Sequence, residues 1–422
     1  MSAREQLLKA FLKFKSVNTD TRSIKKDQIF FALKGDNFNG NKYALHALEA
    51  GASLVVVDEL TENLSEGKFL MVENVLQALQ DLAKDYRKYL RGTVIGLTGS
   101  NGKTTCKELF RDVLKTTYTT HATSGNLNNH IGVPLTLLST PADTEMVIIE
   151  MGANHQKEIE LLCKIAQPDL GYITNFGKAH LEGFGGIEGV IKGKSELYDY
   201  LRTHKKEALI CADDKLQVEK SDGIKRFLFG KTGDFVIKDL QTDFASAEIN
   251  RTIIHSNLTG SFHFTNIAAA IALGLHFNVD LENIKHAIET YKPQMNRSEW
   301  RKTDANEILL DAYNANPDSM NAAIKTFASL NKPNKWFILG DMFELGKFGA
   351  EEHQKTADYL EECQVENAIL IGSNFNRTEH SYSSFNSTAE AREFIRDQNI
   401  VNGTILLKGS RGMKLETLLD IL

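Results

Sequence analysis

Three features of the sequence point to an α/β protein of three domains, the central one a doubly wound parallel sheet. Short apolar runs alternate with helix-patterned segments along most of the chain, the order expected when each parallel strand is followed by a crossover helix. At 422 residues the chain is longer than one ordinary core organises. A polar, proline-bearing stretch, "ETYKPQMNRSEW", breaks the alternation near 290–298 before it resumes.

The elements follow in order. "MSAREQLLKAFLKFKS" lacks a long apolar stretch and reads as an amphipathic helix, not a signal peptide. "DQIFFALKG" and "ASLVVVDE" are strand-like runs around the helical "YALHALEAG", and "VLQALQDLAKDYRKYL" is a helix leading into "TVIGLTG". Strands "MVIIEMG", "GYITNFG" and "EALICADD" precede a helix around "TNIAAAIALGLHF". Beyond the linker, "EILLDAY", "KWFILGD", "AILIGS" and "TILLKGS" alternate with helices "EEHQKTADYLEEC" and "TAEAREFIRDQ", a second α/β unit. The expected domains are 1–91, 92–292 and 293–422. Several strands end in Gly, Asp, Asn or Glu, and open α/β sheets bind ligands beyond the carboxyl ends of their strands.

Composition narrows the function. Hydrophobic residues make up 42% and charged residues 25%, and no apolar run approaches the ~20 residues of a membrane span. A net charge of −6 without a long basic block argues against nucleic acid as the main partner. Cys106, Cys163, Cys211 and Cys363 lie far apart with no CxxC spacing, which speaks against a disulfide framework or zinc site and for a reducing cytosol.

"GLTGSNGKTTCKEL" (96–109) carries the chemistry. An apolar strand precedes it, and Cys106, Leu109, Phe110, Val113 and Leu114 follow at core-helix spacing. Strand, glycine loop, Lys-Thr and helix form the context of a phosphate loop. Gly99 and Gly102 let the backbone around Ser100 and Asn101 turn its N–H groups inward, Lys103 reaches the terminal phosphates, Thr104 offers Mg²⁺ a hydroxyl, and Thr105 follows in the first helical turn. The loop is a variant: Leu97 stands where the common pattern has its first glycine. Glu150, ending the strand "MVIIE", is the candidate metal carboxylate; a solvated strand-end glutamate is the alternative. NKxD, HRD and DFG motifs are not found, which argues against a conventional GTPase or protein kinase.

At "TSGNLNNHIGVPLTLL" (123–138), "ITNFGKAHLEGFGG" (173–186), "KGKSELYDYL" (192–201), "LLDAYNANPDSM" (309–320) and "LGDMFELG" (339–346), the chain resembles the Mur ligase family. The resemblance implies a uridine-nucleotide domain, a central ATPase and a Rossmann-like C-terminal domain that binds the incoming dipeptide and closes on ATP. It implies a monomeric cytoplasmic enzyme using ATP and two Mg²⁺ ions. The peptide carboxylate would become an acyl phosphate, which the amine then attacks. Within the family, YNANP and GDMxELG point to the member that joins D-alanyl-D-alanine to UDP-N-acetylmuramoyl-tripeptide. Another ligase of the superfamily (the meso-diaminopimelate-adding enzyme or folylpolyglutamate synthase) and a non-catalytic nucleotide-binding protein are the alternatives.

Site residues follow from the same resemblance. Lys103, Thr104 and Glu150 serve phosphates and metal, and His180 matches a second-metal histidine. Lys194 matches a lysine that carries a carbamate, with Lys192 as neighbouring rival and a solvated helix lysine as the plainer reading. Asn266 matches an adenine-recognising asparagine, against a simple helix N-cap. Arg297 would reach the ATP phosphates on closure and Asp311 the ribose, with Tyr313, Asn314 and Asn316 nearby. Thr21, Arg22, Lys34 and Gly35 are the uridine-diphosphate candidates, and Asn128, Asn129 and His130 face the muramoyl peptide. Asp341, Glu344, Lys408, Ser410 and Arg411 are candidates for the dipeptide.

Overall fold

The computed structural model describes residues 1–60 and 67–422. The first helix, Ala3–Phe14, starts in a capping box between Ser2 and Glu5 and buries Leu7 and Phe11. Phe11 packs edge-on against Tyr86 of helix Val75–Arg87, with ring centroids 4.8 Å apart. Strands Val17–Asn18, Ile29–Phe31, Leu54–Val57 and Phe69–Met71 form a parallel sheet in that order, with a separate hairpin at Lys34–Gly35 and Phe38–Asn39. Helix Val75–Arg87 joins this unit to the next: Arg87 pairs with Asp169 at 2.7 Å and the Tyr86 hydroxyl donates to the Thr140 carbonyl.

The central sheet has seven parallel strands. From one edge they run Phe235–Val236, Lys225–Gly230, Glu207–Cys211, Leu170–Ile173, Thr93–Thr98, Met146–Glu150 and Thr120–Ala122. Its strands read as unbroken apolar runs because both faces are covered. Ile95, Leu97 and Ile148 pack beneath helices Lys103–Leu114 and Phe264–His276. Val94, Val147 and Ile149 alternate to the other face, toward helices Gly132–Ser139, Glu158–Ala166 and Ile187–Thr203. The expected core helix after the glycine loop is present, with Cys106, Leu109, Phe110, Val113 and Leu114 all buried.

One element escaped the sequence reading. Lys238–Asp239, Phe244–Ile249 and Thr252–Thr259 form an antiparallel sheet that packs on helices Phe264–His276 and Leu281–Thr290. Its signal is alternation in the strand that follows a turn at Asn250–Arg251 with positive φ: Ile254, Ser256 and Leu258 are buried, and Ile253, His255 and Asn257 are exposed.

After Thr290 the chain leaves the helix and carries Met295, Asn296 and Ser298 in left-handed backbone before the last domain. There six strands run Glu299–Lys302, Glu307–Asp311, Thr404–Lys408, Lys335–Gly340, Ala368–Ile371 and Ser383–Phe385, parallel except for the first pair. The carboxyl ends of the two large sheets face one another across a cleft.

Candidate active site between the central and C-terminal domains

The loop after Thr98 is shaped by close approach. Gly99 and Gly102 take φ of 140° and 80°, and a Cβ at Gly102 would sit 2.6 Å from Asn266 Oδ1. The loop is strapped to the neighbouring strand end: Thr174 Oγ1 donates to the Asn101 carbonyl, Asn101 N–H donates to Asn175 Oδ1, and Ser100 Oγ donates to the Gly177 carbonyl. Helix Lys103–Leu114 starts here, so its unpaired N–H groups face the cleft. Lys103 Nζ folds back onto the Gly99 and Ser100 carbonyls at 2.5 and 3.0 Å. Burial lowers its pKa to about 8, against the opposing pull of the Glu150 carboxylate.

Glu150 is 1% exposed, so the solvated strand-end alternative does not hold. Its carboxylate accepts from Thr104 Oγ1 at 3.1 Å and from Asn128 Nδ2 at 2.8 Å. Lys107 Nζ lies 4.0 Å away, fully buried and paired with Glu108. A hydroxyl and a carboxylate opening onto a cavity are hard oxygen donors and fit Mg²⁺, which takes few protein ligands and completes its shell with phosphate and water. Among the described residues no group of three or more His, Cys, Asp or Glu could hold a metal by itself.

His180 takes φ of 54° at the start of the short helix Leu181–Phe184. Its Nδ1 lies 2.5 Å from Glu344 Oε2, and that contact, followed by Lys103, holds the Glu344 carboxyl below its usual range. Lys194 has no solvent exposure; Nζ donates to the Ala153 carbonyl at 3.1 Å and lies 5.2 Å from the Phe184 ring centre. Burial, helped by the charge of Lys103, puts its pKa well below that of an ordinary lysine. Lys192, two positions earlier, is exposed, so the structure separates the two lysines.

The C-terminal domain completes the cleft. The Arg297 guanidinium stacks 3.7 Å over the Tyr313 ring. Lys408 Nζ lies 2.5 Å from Asp311 Oδ2, while Asp311 Oδ1 accepts from the Ser298 N–H. Asn316 caps helix Pro317–Ser329 and exchanges hydrogen bonds with Asn101 across the domain boundary. Asn266 is not a helix cap: the helix begins at Phe264, and Asn266 lies against the phosphate loop, its Oδ1 accepting from the Cys106 thiol and its Nδ2 donating to His263 Nδ1. Burial lowers the His263 pKa to about 4.

Together these residues line one cavity of about 880 Å³. It brings together Ser100 to Thr105, Asn128, Asn129, His130, Glu150, His180, Asn266, Arg297, Asp311, Tyr313, Asn314, Asn316, Glu344 and Lys408. Lys194 lies just outside the lining, behind Ala153. The structure does not bring Asp341, Ser410 or Arg411 to the cavity lining. The Asp341 carboxylate is taken up by the N–H groups of Asn374 and Phe375, Ser410 Oγ accepts from Phe343 N–H, and Arg411 sits 5.7 Å from the Tyr313 ring. Thr21, Arg22, Lys34 and Gly35 also lie elsewhere, with Arg22 paired to Asp20 and Lys34 to Asp58 and Glu59. The sequence reading missed Lys107, His263, Ser298 and Asp318. Lys107 could have been found, since it falls one helical turn beyond Lys103 on the loop-facing side.

The two domains are clasped. Lys178 N–H donates to Asp318 Oδ2 and its Nζ to Glu352 Oε1 at 2.8 Å, while Glu182 N–H donates to the Glu344 carbonyl.

Comparison with known proteins agrees with this architecture. Family models match in three consecutive stretches: the Mur ligase family catalytic domain at residues 13–87, the Mur ligase middle domain at 97–274, and the Mur ligase glutamate ligase domain at 296–411. The chain is 35% identical over 419 residues to the UDP-N-acetylmuramoyl-tripeptide--D-alanyl-D-alanine ligase of Bacillus subtilis, covering 95% of this chain and 91% of that one. The crystal structure of MurF from Acinetobacter baumannii superposes with a TM-score of 0.88 at 30% identity, covering 99% and 97% of the two chains. MurF ligase from Thermotoga maritima in complex with ADP gives 0.84 at 26% identity, covering 97% of each. By sequence and by fold, the chain belongs to the Mur ligase family.

Proposed function

We propose that this protein is an ATP-dependent amide ligase that adds D-alanyl-D-alanine to UDP-N-acetylmuramoyl-tripeptide in peptidoglycan precursor synthesis. The observation that carries the reading is a single cavity lined by a phosphate loop, a buried strand-end glutamate and charged residues of a second, clasped domain. The close relatives named above carry that activity in their names, and one was solved with ADP. We assign this enzyme to the cytoplasm and to a monomeric state.

In this reading the loop N–H groups and Lys103 hold the ATP phosphates, and Arg297 meets them from the other domain. Thr104 and Glu150 would hold one Mg²⁺, and His180 with a carbamylated Lys194 a second; bound there, the ions neutralise phosphate charge. An oxygen of the peptide carboxylate attacks the γ-phosphorus, the bond to the β–γ bridging oxygen breaks and ADP leaves. The dipeptide amine then attacks the acyl carbon, loses a proton, and the C–O bond to phosphate breaks. Asn128, Asn129 and His130 face the acceptor peptide, and Glu344 and Lys408 are placed to meet the zwitterionic dipeptide. Thr21, Arg22, Lys34 and Gly35 are assigned to the uridine diphosphate, which displaces Arg22 and Lys34 from their present carboxylate partners.

Lys194 suits the carbamate role because only a neutral amine adds to CO₂, forming an N–C bond and releasing one proton, and burial shifts this amine toward its neutral form. Isotope-labelled CO₂ captured on the protein and mapped to Lys194 tests the modification; label confined to other sites would count against it. The function itself is tested by phosphate release that requires both UDP-N-acetylmuramoyl-tripeptide and D-alanyl-D-alanine.

A further inference from the structure

A continuous run of hydrogen bonds crosses from the phosphate-loop helix to the C-terminal domain, and Cys106, His263 and Ser298 within it have no part in the proposed chemistry. Cys106, fully buried, keeps its proton because burial raises its pKa, and its thiol donates to Asn266 Oδ1. That leaves the Asn266 amide nitrogen to donate to His263 Nδ1 at 3.1 Å. With Nδ1 accepting, the neutral imidazole carries its proton on Nε2, 3.2 Å from Ser298 Oγ. Ser298 N–H then donates to Asp311 Oδ1, whose other oxygen pairs with Lys408. His263, Asn266 and Ser298 are each 6% exposed, so water does not readily replace the lost partners.

The position of Ser298 gives the chain of bonds its meaning. It adjoins Arg297 in the linker, and Met295, Asn296 and Ser298 all hold left-handed backbone. Such conformations cost free energy for residues other than glycine and persist only where surrounding contacts fix them. Among the described residues, Ser298 is hydrogen-bonded to Asp311, on its own domain, and to His263, on the central domain.

We infer that His263 is a positioning residue that ties the phosphate-loop side of the site to the linker bearing Arg297, so that the nucleotide and the closed domain arrangement stabilise each other through the His263–Ser298 bond. This inference rests on the nucleotide site proposed above. It separates two halves of that site: Asn266 beneath the loop and Arg297 above it are set by one imidazole.

The test is a double-mutant cycle with His263→Phe and Ser298→Ala, read as the affinity for the magnesium complex of the non-hydrolysable ATP analogue AMP-PNP by titration calorimetry. Each single change is expected to weaken binding about 10-fold, the size of a typical coupling between sites, and the double variant to be no weaker than the weaker single one. His263→Gln, which can place an N–H near the Nε2 position, should recover most of the affinity. In steady-state assays KM for ATP should rise while KM for D-alanyl-D-alanine stays unchanged, a split that general loss of structure would not produce. Multiplying effects in the double variant, or wild-type affinity in Ser298→Ala, would overturn the inference; Ser298→Ala decides alone if His263→Phe fails to fold. Wild-type protein that binds no analogue would instead remove the nucleotide site itself, and the inference with it.

Discussion

A lysine sealed from solvent, with a carbonyl as its only hydrogen-bond partner among the described residues, is an expensive residue to keep unless its chemistry is used. Lys194→Ala is therefore expected to lower kcat by roughly 10²–10³, the usual cost of removing one stabilising group from an active site. A short-chain carboxylate such as acetate should restore part of the rate, while Lys192→Ala should stay near wild type. Full activity of Lys194→Ala would contradict the role. The choice between these lysines was not legible from spacing alone, because both sit in a motif two residues apart. On a helix that separation turns them to nearly opposite faces, and only packing decides which face is covered. Glu150 is similar: "MVIIE" shows a strand ending in an acid, but only the covering Thr104, Asn128 and Lys107 show that the acid is buried.

Helices carry the next set of expectations. Arg4 on Ala3–Phe14 bonds both carboxylate oxygens of Asp85 on Val75–Arg87, and this holds the Asp85 pKa at about 2, below its ordinary 3.8. A depressed carboxyl pKa stabilises the folded state above the ordinary value and loses that contribution as pH falls toward about 2. Amide exchange in Ala3–Phe14 should accelerate between pH 4 and pH 2, and Asp85→Asn should flatten that dependence; equal acid profiles would contradict the pairing. Asn316 combines two jobs, capping Pro317–Ser329 and bonding Asn101. Asn316→Ala should cost about 1 kcal/mol, or about 2–4 °C in Tm, and also slow turnover. Asn316→Ser keeps a capping oxygen and should recover the Tm but not the rate. The parallel strands were readable because burial on both faces makes them plain apolar runs. The antiparallel Phe244–Ile249 and Thr252–Thr259 pair was missed because its alternation is diluted by Ser, His and Asn on a half-covered sheet.

The central and C-terminal domains are closed on one another in this structure, with Lys178, Glu182 and Asn101 of the first bonded to Glu352, Asp318, Glu344 and Asn316 of the second. Three domains and their motifs could be read from sequence, whereas the clasp could not, since it joins residues more than a hundred positions apart. Closure should follow ligand binding, because a site shared between domains is complete only when they meet. Small-angle scattering should show a smaller radius of gyration with AMP-PNP, Mg²⁺ and UDP-N-acetylmuramoyl-tripeptide than without them, and Glu352→Gln should lessen the change; unchanged scattering on ligand addition would contradict coupled closure. The decisive measurement is phosphate release by the wild-type enzyme with the substrates supplied singly and together. Release that needs ATP, UDP-N-acetylmuramoyl-tripeptide and D-alanyl-D-alanine at once, with one pentapeptide formed per phosphate, is the expected result. Release with folate and glutamate instead, or with neither pair, would contradict the assignment.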